Sequence, residues 1–388
     1  MKAKLYFILC RWCAAAVMCI PYGCRQEVRP AALASEAEDT LPGITVEAAP
    51  QTELPPQPTA FARVTMTGDI MPGTTFPDSV HRTHLPAEDG KHLFVHVTPM
   101  LRAADAAFGN LETTLLDSGG DIKKCKDPNT YYVFRTPTDY IRLLEQAGYD
   151  ALSIANNHTN DLGEKGRSST RNTLKATTIA YAGHSPVAET TVFRRNGVTF
   201  GFCAFSVSPL TPDLRDTTEV GRIVRGLRDK CQILVVSFHG GREGLKFSHL
   251  PFDEEEYLGR KQGNVVKFAH QCIDNGADVV FGHGPHLPRA IELYKGHLIA
   301  YSLGNFCTPY RVSLSSKLGY APLIEADLDT YGHFKGGQIH SFMQQRGLGP
   351  LPDSLSHAAR EIKMLTESDF PYTPLRIHPD GQIEVVCP

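Results

Sequence analysis

The sequence has a single tryptophan, Trp12, and it sits in an N-terminal segment of distinct character, so the rest of the chain has none. After that segment no hydrophobic run approaches bilayer-spanning length, which excludes a bundle of membrane-spanning helices. Charge is almost balanced, with 39 Lys and Arg against 42 Asp and Glu and a formal net charge of −3. A nucleic-acid binder carries a basic patch or a high pI, so nucleic acid is excluded as a partner. There is no Gly-x-Ser-x-Gly elbow for a serine nucleophile, no Walker A loop to cradle a nucleotide, and no internal repeat. Ten cysteines are present, yet Cys125, Cys203, Cys231, Cys272, Cys307 and Cys387 show no paired metal spacing. In a chain this long they read as buried or free thiols, with one disulfide still open for an exported protein.

Three stretches of different composition remain. Lys2, Lys4 and Arg11 precede the apolar "WCAAAVMCI", and "PYGC" follows, ending at Cys24. A charged start, a short apolar core and a small residue before the break describe a secretory signal over residues 1–23. Gly23-Cys24 resembles a bacterial lipoprotein signal, with Cys24 lipidated after cleavage, although Pro21 replaces the usual aliphatic residue. Residues 24–60, rich in Ala, Pro, Glu and Thr, cannot bury enough apolar surface to fold and read as a flexible tether. Residues 61–388 read as one catalytic-size domain, exported and anchored to the cell envelope.

Within that domain, short apolar runs alternate with amphipathic stretches. "ARVTMTGD", "DAAFGNLE", "YDALSIANNH", "CQILVVSFHGG" and "DVVFGHG" read as strands. "HLFVHVTPMLRAA", "TPTDYIRLLEQAG" (capped by Thr136 or Thr138, closed by Gly148) and "GEKGRSSTRNTLKA" read as helices. A long helix is expected over "EEEYLGRKQGNVVKFAHQCIDNGA", with "FDEEE" as its acidic start. Asn196-Gly197 and Lys295-Gly296 mark hairpin turns, and everything after about residue 320 reads as further hairpins. Alternating strands and helices with interposed hairpins predict an α/β core with mixed sheets.

Five apolar runs each end in a polar side chain suited to ligation. Asp69 follows "VTMTG", Glu112 follows "AAFGNL", and Asn156, Asn157 and His158 follow "ALSIA". His239 follows "ILVVSF", while His283 and His286 follow "VVFG". In α/β sheets, sites form beyond the carboxyl ends of the strands. One such histidine means little; the joint occurrence points to a site. Nitrogen and oxygen donors without thiolate suit zinc, manganese or iron.

In this order, "TGDIM", "GNLE", "ANNHTND", "SFHGG", "GHGPH" and "YSLGNF" resemble the poly-gamma-glutamate capsule synthesis protein CapA family, which is similar to the calcineurin-like metallophosphoesterases. The resemblance covers roughly residues 62–308. It implies a four-layer α/β/β/α sandwich, metallophosphoesterase-like, with two divalent metal ions (Mn, Zn or Fe). By motif, Asp69 is expected at the first metal with His286, and Glu112 at the bridging position. Asn157, His239 and His283 are expected at the second metal, and His158 facing the substrate as the catalytic acid. Glu243 matches an acidic residue that often follows the His239 motif, and Asn305 is expected to support the metal loop.

Two departures stand out. Met71 occupies the place of the superfamily's first histidine, and His239-Gly240-Gly241 replaces the family's His-Trp-Gly, leaving a wall open or filled from elsewhere. Arg135 reads equally as a grip on an anion or a loop brace. Lys123, Lys124 and Lys126 read as a solvated loop. The expected activity is metal-dependent hydrolysis of a phosphoester or an anionic envelope polymer. The alternative is a non-hydrolytic protein of capsule synthesis or export, working with capsule-synthesis partners.

Overall fold

Alternation in the sequence decides which way each strand faces. In Ala62–Ile70, Val64 and Met66 enter one core, while Thr67 turns the other way to hydrogen-bond the Tyr149 hydroxyl at 3.0 Å. This is the two-residue period of a strand. The computed structural model describes residues 62–76, 84–124 and 132–386; the expected signal, Cys24 and the tether lie outside them.

Among the described residues, nine strands form one mixed sheet. Its order runs Leu375–Ile377, Gln382–Val385, Phe334–His340, Leu323–Leu328, Ala62–Ile70, Ala106–Leu111, Ala151–Ser153, Ala180–Ala182. Asn305–Cys307 adds in parallel at the end of Ala62–Ile70. The second sheet has six strands, ordered Ile291–Tyr294, His297–Ala300, Val279–His283, Ile233–His239, Val198–Ser206, Thr190–Arg195. Parallel neighbours need long crossovers, usually helical, and the helices Ile141–Ala147, Gly163–Lys175, Thr217–Arg228 and Val265–Asp274 supply them.

Three buried clusters define the layers. Val64, Met66 and Phe108 of the first sheet meet Phe200, Phe202, Val235 and Phe281 of the second. Phe108 alone lies 5.4–6.3 Å, centroid to centroid, from Phe202, Phe200 and Phe281. Truncating such a ring costs about 3–5 kcal/mol. The opposite face of the first sheet packs Ile70, Ala107 and Leu152 on Leu101, Ile141, Leu144 and Leu174 of helices. The opposite face of the second packs Val236, Phe238 and Val280 on Val220, Val224, Phe268 and Cys272. Helix, sheet, sheet and helix follow one another, the four-layer sandwich expected from the resemblance.

Several local expectations change. The acidic stretch is no helix start: Glu255–Tyr257 pairs antiparallel with Arg260–Gly263, and the helix begins only at Val265, capped by the Asn264 side chain. Positive φ at Leu258, Gly259 and Gly263 breaks any helical run there, while Glu255 is drawn inward by Arg289. Helix Ile141–Ala147 ends at Gly148 as expected, but neither threonine caps it: Thr136 hydrogen-bonds the Gly73 carbonyl and Thr138 the Asp117 carboxylate. The helix expected from His92 is confined to Thr98–Ala103. His357–Asp369, inside the supposed hairpin region, is a helix whose Ala359 and Ile362 close the inter-sheet core. Both hairpin turns are found, with positive φ at Asn196-Gly197 and Lys295-Gly296. Cys203, Cys231, Cys272 and Cys307 are free thiols.

Candidate metal centre

The two sheets bring their carboxyl ends to the same side. Near its carboxyl end, around Asp69, Ala62–Ile70 slips register against both parallel neighbours, Ala106–Leu111 and Asn305–Cys307. The slip needs Gly68, whose absent Cβ would lie 2.0 Å from the Gly304 carbonyl oxygen. Asp69 N then donates to that same carbonyl at 2.8 Å. Glu112 follows the adjacent parallel strand, its N–H bound to the Ile70 carbonyl at 2.9 Å. In the second sheet, His239 and His283 stand side by side in parallel register.

These residues converge. Ligand atoms of Asp69, Glu112 and His239, all buried, lie within 4.8 Å of one another. His239 Nε2 is 3.2 Å from Glu112 Oε1. His286 Nδ1 is 3.0 Å from Asp69 Oδ2 and 3.9 Å from Glu112 Oε2. His283 Nδ1 approaches Asp69 Oδ1 at 3.2 Å, yet neither of its ring nitrogens has a hydrogen-bond partner although both are buried. Asn157 Oδ1 is likewise buried without a partner. A buried polar atom left unpaired is costly, and cation ligation uses such lone pairs. The residues present therefore fit a divalent metal bound through nitrogen and oxygen.

Electrostatics give the same answer. Burial pushes the Glu112 carboxyl up to about 7, and the neighbouring Asp69 charge adds to it. For Asp69, burial works upward too, but His283 and His286 outweigh it and hold the carboxyl well below its usual range. Burial takes His239 down to about 4 and also lowers His283. Burial would lower His286 as well, but the Glu112 charge and the Asp69 hydrogen bond win and raise it to about 10. The two carboxylates thus retain a proton on His286 as counter-charge, a place a cation can take.

His158 stands at the edge of this group, Nε2 3.9 Å from Glu112 Oε1. Its Nδ1–H donates to the fully buried Asp161 at 2.7 Å, and its ring stacks on Phe134 at 4.2 Å. Asp161 also accepts the Phe134 N–H at 2.8 Å and pairs with Lys123. Lys123 is therefore engaged at the site, contrary to the solvated-loop expectation. Carboxamides tie the pieces together: Asn110 Nδ2 donates to Asp69 Oδ1 at 2.9 Å, Asn156 Nδ2 to Asn110 Oδ1 at 3.1 Å, and His158 N to Asn156 Oδ1 at 3.0 Å.

Asn305 Nδ2 donates to the His286 carbonyl at 3.1 Å, holding a residue with φ of +59°. Glu243, half-buried, adds negative charge felt by Glu112, His239 and His286. Arg135 spends Nε on the Thr75 hydroxyl at 2.9 Å and Nη2 on the Thr75 carbonyl, the bracing role. The space beside Gly240 is filled from elsewhere: a Cβ there would meet Leu214 Cδ2 at 2.7 Å and the Gln262 carbonyl at 2.9 Å. Met71 is fully buried. Sequence reasoning missed Asn110 and Asp161 as participants. Both lie inside the motifs "GNLE" and "ANNHTND", so position was legible and partner was not.

A family model for the bacterial capsule synthesis protein PGA_cap matches residues 63–310. The capsule biosynthesis protein CapA of Bacillus anthracis is 28% identical over 263 residues, 63% of this chain and 59% of that protein. The PGA biosynthesis protein CapA of Bacillus subtilis is 28% identical over 229 residues, 55% of this chain and 56% of that protein. The chain thus spans less than two thirds of the length of either relative. A solved 5'-nucleotidase precursor from Thermus thermophilus is similar at a TM-score of 0.42 and 14% identity, over 74% of this chain and 55% of that one. The matched stretch runs from the Asp69 strand past Asn305 and holds every side chain of the centre, and the chain belongs to the bacterial capsule synthesis protein PGA_cap family.

Proposed function

We propose that this protein is a divalent-metal-dependent hydrolase of the cell envelope, acting on a phosphoester or on a bond in an anionic capsule or wall polymer. One observation carries the reading: Asp69, Glu112, His239, His283 and His286 converge, with both His283 nitrogens buried and outside any hydrogen bond, directly beside a His158–Asp161 pair. When bound, two divalent cations (Mn, Zn or Fe) supply an activated water and neutralise charge on the attacked group. Asp69 and His286 would hold the first, His239, His283 and Asn157 the second, with Glu112 between them. Asp161 fixes the His158 tautomer with the proton on Nδ1, so Nε2 faces the site. As the imidazolium, whose charge Asp161 offsets, His158 would give its Nε2 proton to the leaving oxygen or nitrogen and be left as the neutral Nδ1–H form. We propose further that Cys24 carries lipid and that residues 24–60 tether the domain to a membrane.

A second reading follows from family membership, since the named relatives are biosynthesis proteins: a metal-holding scaffold that binds an anionic polymer without cleaving it, among capsule-synthesis partners. The deciding experiment loads the protein with manganese, zinc or iron and screens phosphomonoesters, phosphodiesters and gamma-glutamyl peptides, with His283→Ala and His158→Ala beside it. A hydrolase gives turnover that falls with either variant, and His283→Ala alone loses metal. Polymer binding with no turnover in any form selects the scaffold, and a wild type that takes up none of the three metals removes both.

A further inference from the structure

Outside the centre, one polar contact joins Arg289, which sequence reasoning passed over, to Glu255, which it placed at an acidic helix start. Arg289 and Glu255 have fully buried side chains and meet in a two-point pair, Nη1 to Oε1 and Nη2 to Oε2, each at 2.8 Å. The remaining donors are not idle. Arg289 Nε donates to the Phe247 carbonyl at 2.9 Å, and Nη2 reaches the Arg242 carbonyl at 3.5 Å. Glu255 Oε2 accepts the Arg242 N–H at 3.0 Å. Arg242 is therefore gripped by both its N–H and its C=O, immediately before Glu243. Gly241 makes room for this: at φ +86° its missing Cβ would lie 2.9 Å from Arg289 Nη1 and 3.0 Å from Glu255 Oε1.

The pair bridges two loops that each leave a ligand-bearing strand. One follows His239 and carries Glu243; the other follows His283 and carries His286, three residues before Arg289. Two backbone bonds parallel the bridge, Gly240 N to the His283 carbonyl at 2.9 Å and Gly244 N to the Pro285 carbonyl at 3.1 Å. On the far side, Arg289 N binds the Ser302 carbonyl at 3.0 Å, and Ser302 Oγ binds the Leu287 carbonyl at 2.7 Å. His286 is thus anchored on both sides.

A buried ion pair is a poor way to gain stability, because well-packed apolar residues of similar volume do as well or better. Its advantage here is geometric. A guanidinium is a rigid planar fork that fixes direction as well as distance.

We infer that Arg289 and Glu255 are positioning residues that lock the Glu243 and His286 loops into one body and so set His286 against Asp69. The inference rests on the metal-centre reading above. Outer contacts of this kind typically change metal affinity by about 10–100-fold.

The test compares wild-type protein with Arg289→Lys, Glu255→Gln and the paired Arg289→Met/Glu255→Leu, which removes both charges together. Thermal unfolding identifies the folded variants. Mn2+ titration then gives affinity, and hydrogen exchange in Mn2+-free protein follows the Gly244 amide, which touches neither member of the pair. The expected result is a paired variant that unfolds near the wild-type temperature, binds Mn2+ about tenfold or more weakly, and exchanges Gly244 faster. A folded paired or Glu255→Gln variant with wild-type Mn2+ affinity overturns the inference, whatever its exchange. If the wild type itself binds no Mn2+, Zn2+ or Fe2+, the metal-centre reading fails separately. Gly244 exchange alone then decides whether the pair locks the loops, and unchanged protection overturns it.

Discussion

His158 and Asp161 are three residues apart on one loop, buried together, and joined by a 2.7 Å hydrogen bond that turns the free imidazole nitrogen toward Glu112. A carboxylate can only accept, so Nδ1 carries the proton and Nε2 is left to face substrate. His158→Ala should keep metal content and fold while costing about 10²–10⁴-fold in hydrolysis rate. Asp161→Asn should keep the ring in place and lose rate as well, because a neutral amide no longer offsets the imidazolium that donates from Nε2. Single-turnover rates with metal analysis check both. A rate loss that tracks metal loss would remove His158 from the proton-transfer role.

Metal uptake should release protons. In the metal-free protein His286 is raised to about 10 and Glu112 to about 7, whereas ligation needs both deprotonated. Binding at pH 7 therefore displaces the His286 proton and part of one from Glu112, and affinity should rise with pH. Stability without metal has the opposite slope. His286, whose folded value lies above its ordinary 6.5, contributes fully below that value and loses the contribution as pH rises toward about 10. Glu112, raised from 4.5, acts in the same sense as pH rises through about 7. Lowered His239 and His283 act in the opposite sense up to about their ordinary 6.5, so calorimetric melting of metal-free protein should fall above that range, from about pH 7.5 to about 9.5, and saturating Mn2+ should remove the slope. A flat metal-free profile would contradict the proton assignment to His286.

Gly68→Ala should disturb the centre from outside it. The added methyl would be driven into the Gly304 carbonyl, and overpacking costs about 1–3 kcal/mol, occasionally more. The expected outcome is a lower urea midpoint together with weaker Mn2+ binding, since relief requires moving Asp69. Weakened folding with intact Mn2+ affinity would show that the strand end adjusts without shifting its carboxylate.

The proposed anchor is tested in cells. Cys24→Ala should convert a membrane-fractionating protein into an exported soluble one, because the tether composition supplies no second anchor. Unchanged membrane fractionation would show that a retained hydrophobic segment, not lipid, holds the domain.

What the sequence made legible follows from where information is local. An apolar run that ends in Asp69, Glu112, His239 or His283 is a one-dimensional pattern, and strand direction turns it into convergence at one end of the sandwich. The hairpins at Asn196-Gly197 and Lys295-Gly296 were legible because positive φ is a property of the turn itself. Glu255 was misread because its acidic neighbours fit a helix start, whereas its conformation is set by Arg289, 34 residues away. Helix His357–Asp369 was passed over because its apolar positions are spaced among charges, and it is completed only by packing over the inter-sheet core. Asp161 was visible as a letter in a motif, but its partnership with His158 exists only in the folded loop.

The inter-sheet core described above has a mechanical consequence. Asp69 and Glu112 hang from one sheet, while His239, His283 and His286 hang from the other, so any ion shared among them is a rivet through the seam of the sandwich. Binding free energy at such a place is resistance of the whole domain to being pulled apart along that seam, not a local adjustment of a loop. A force that peels the sheets from the opposite edge would meet apolar packing and a few polar contacts, such as Arg195 with Asp150 and Asn196 with Asp105, whereas one applied at the site edge would have to break the rivet first.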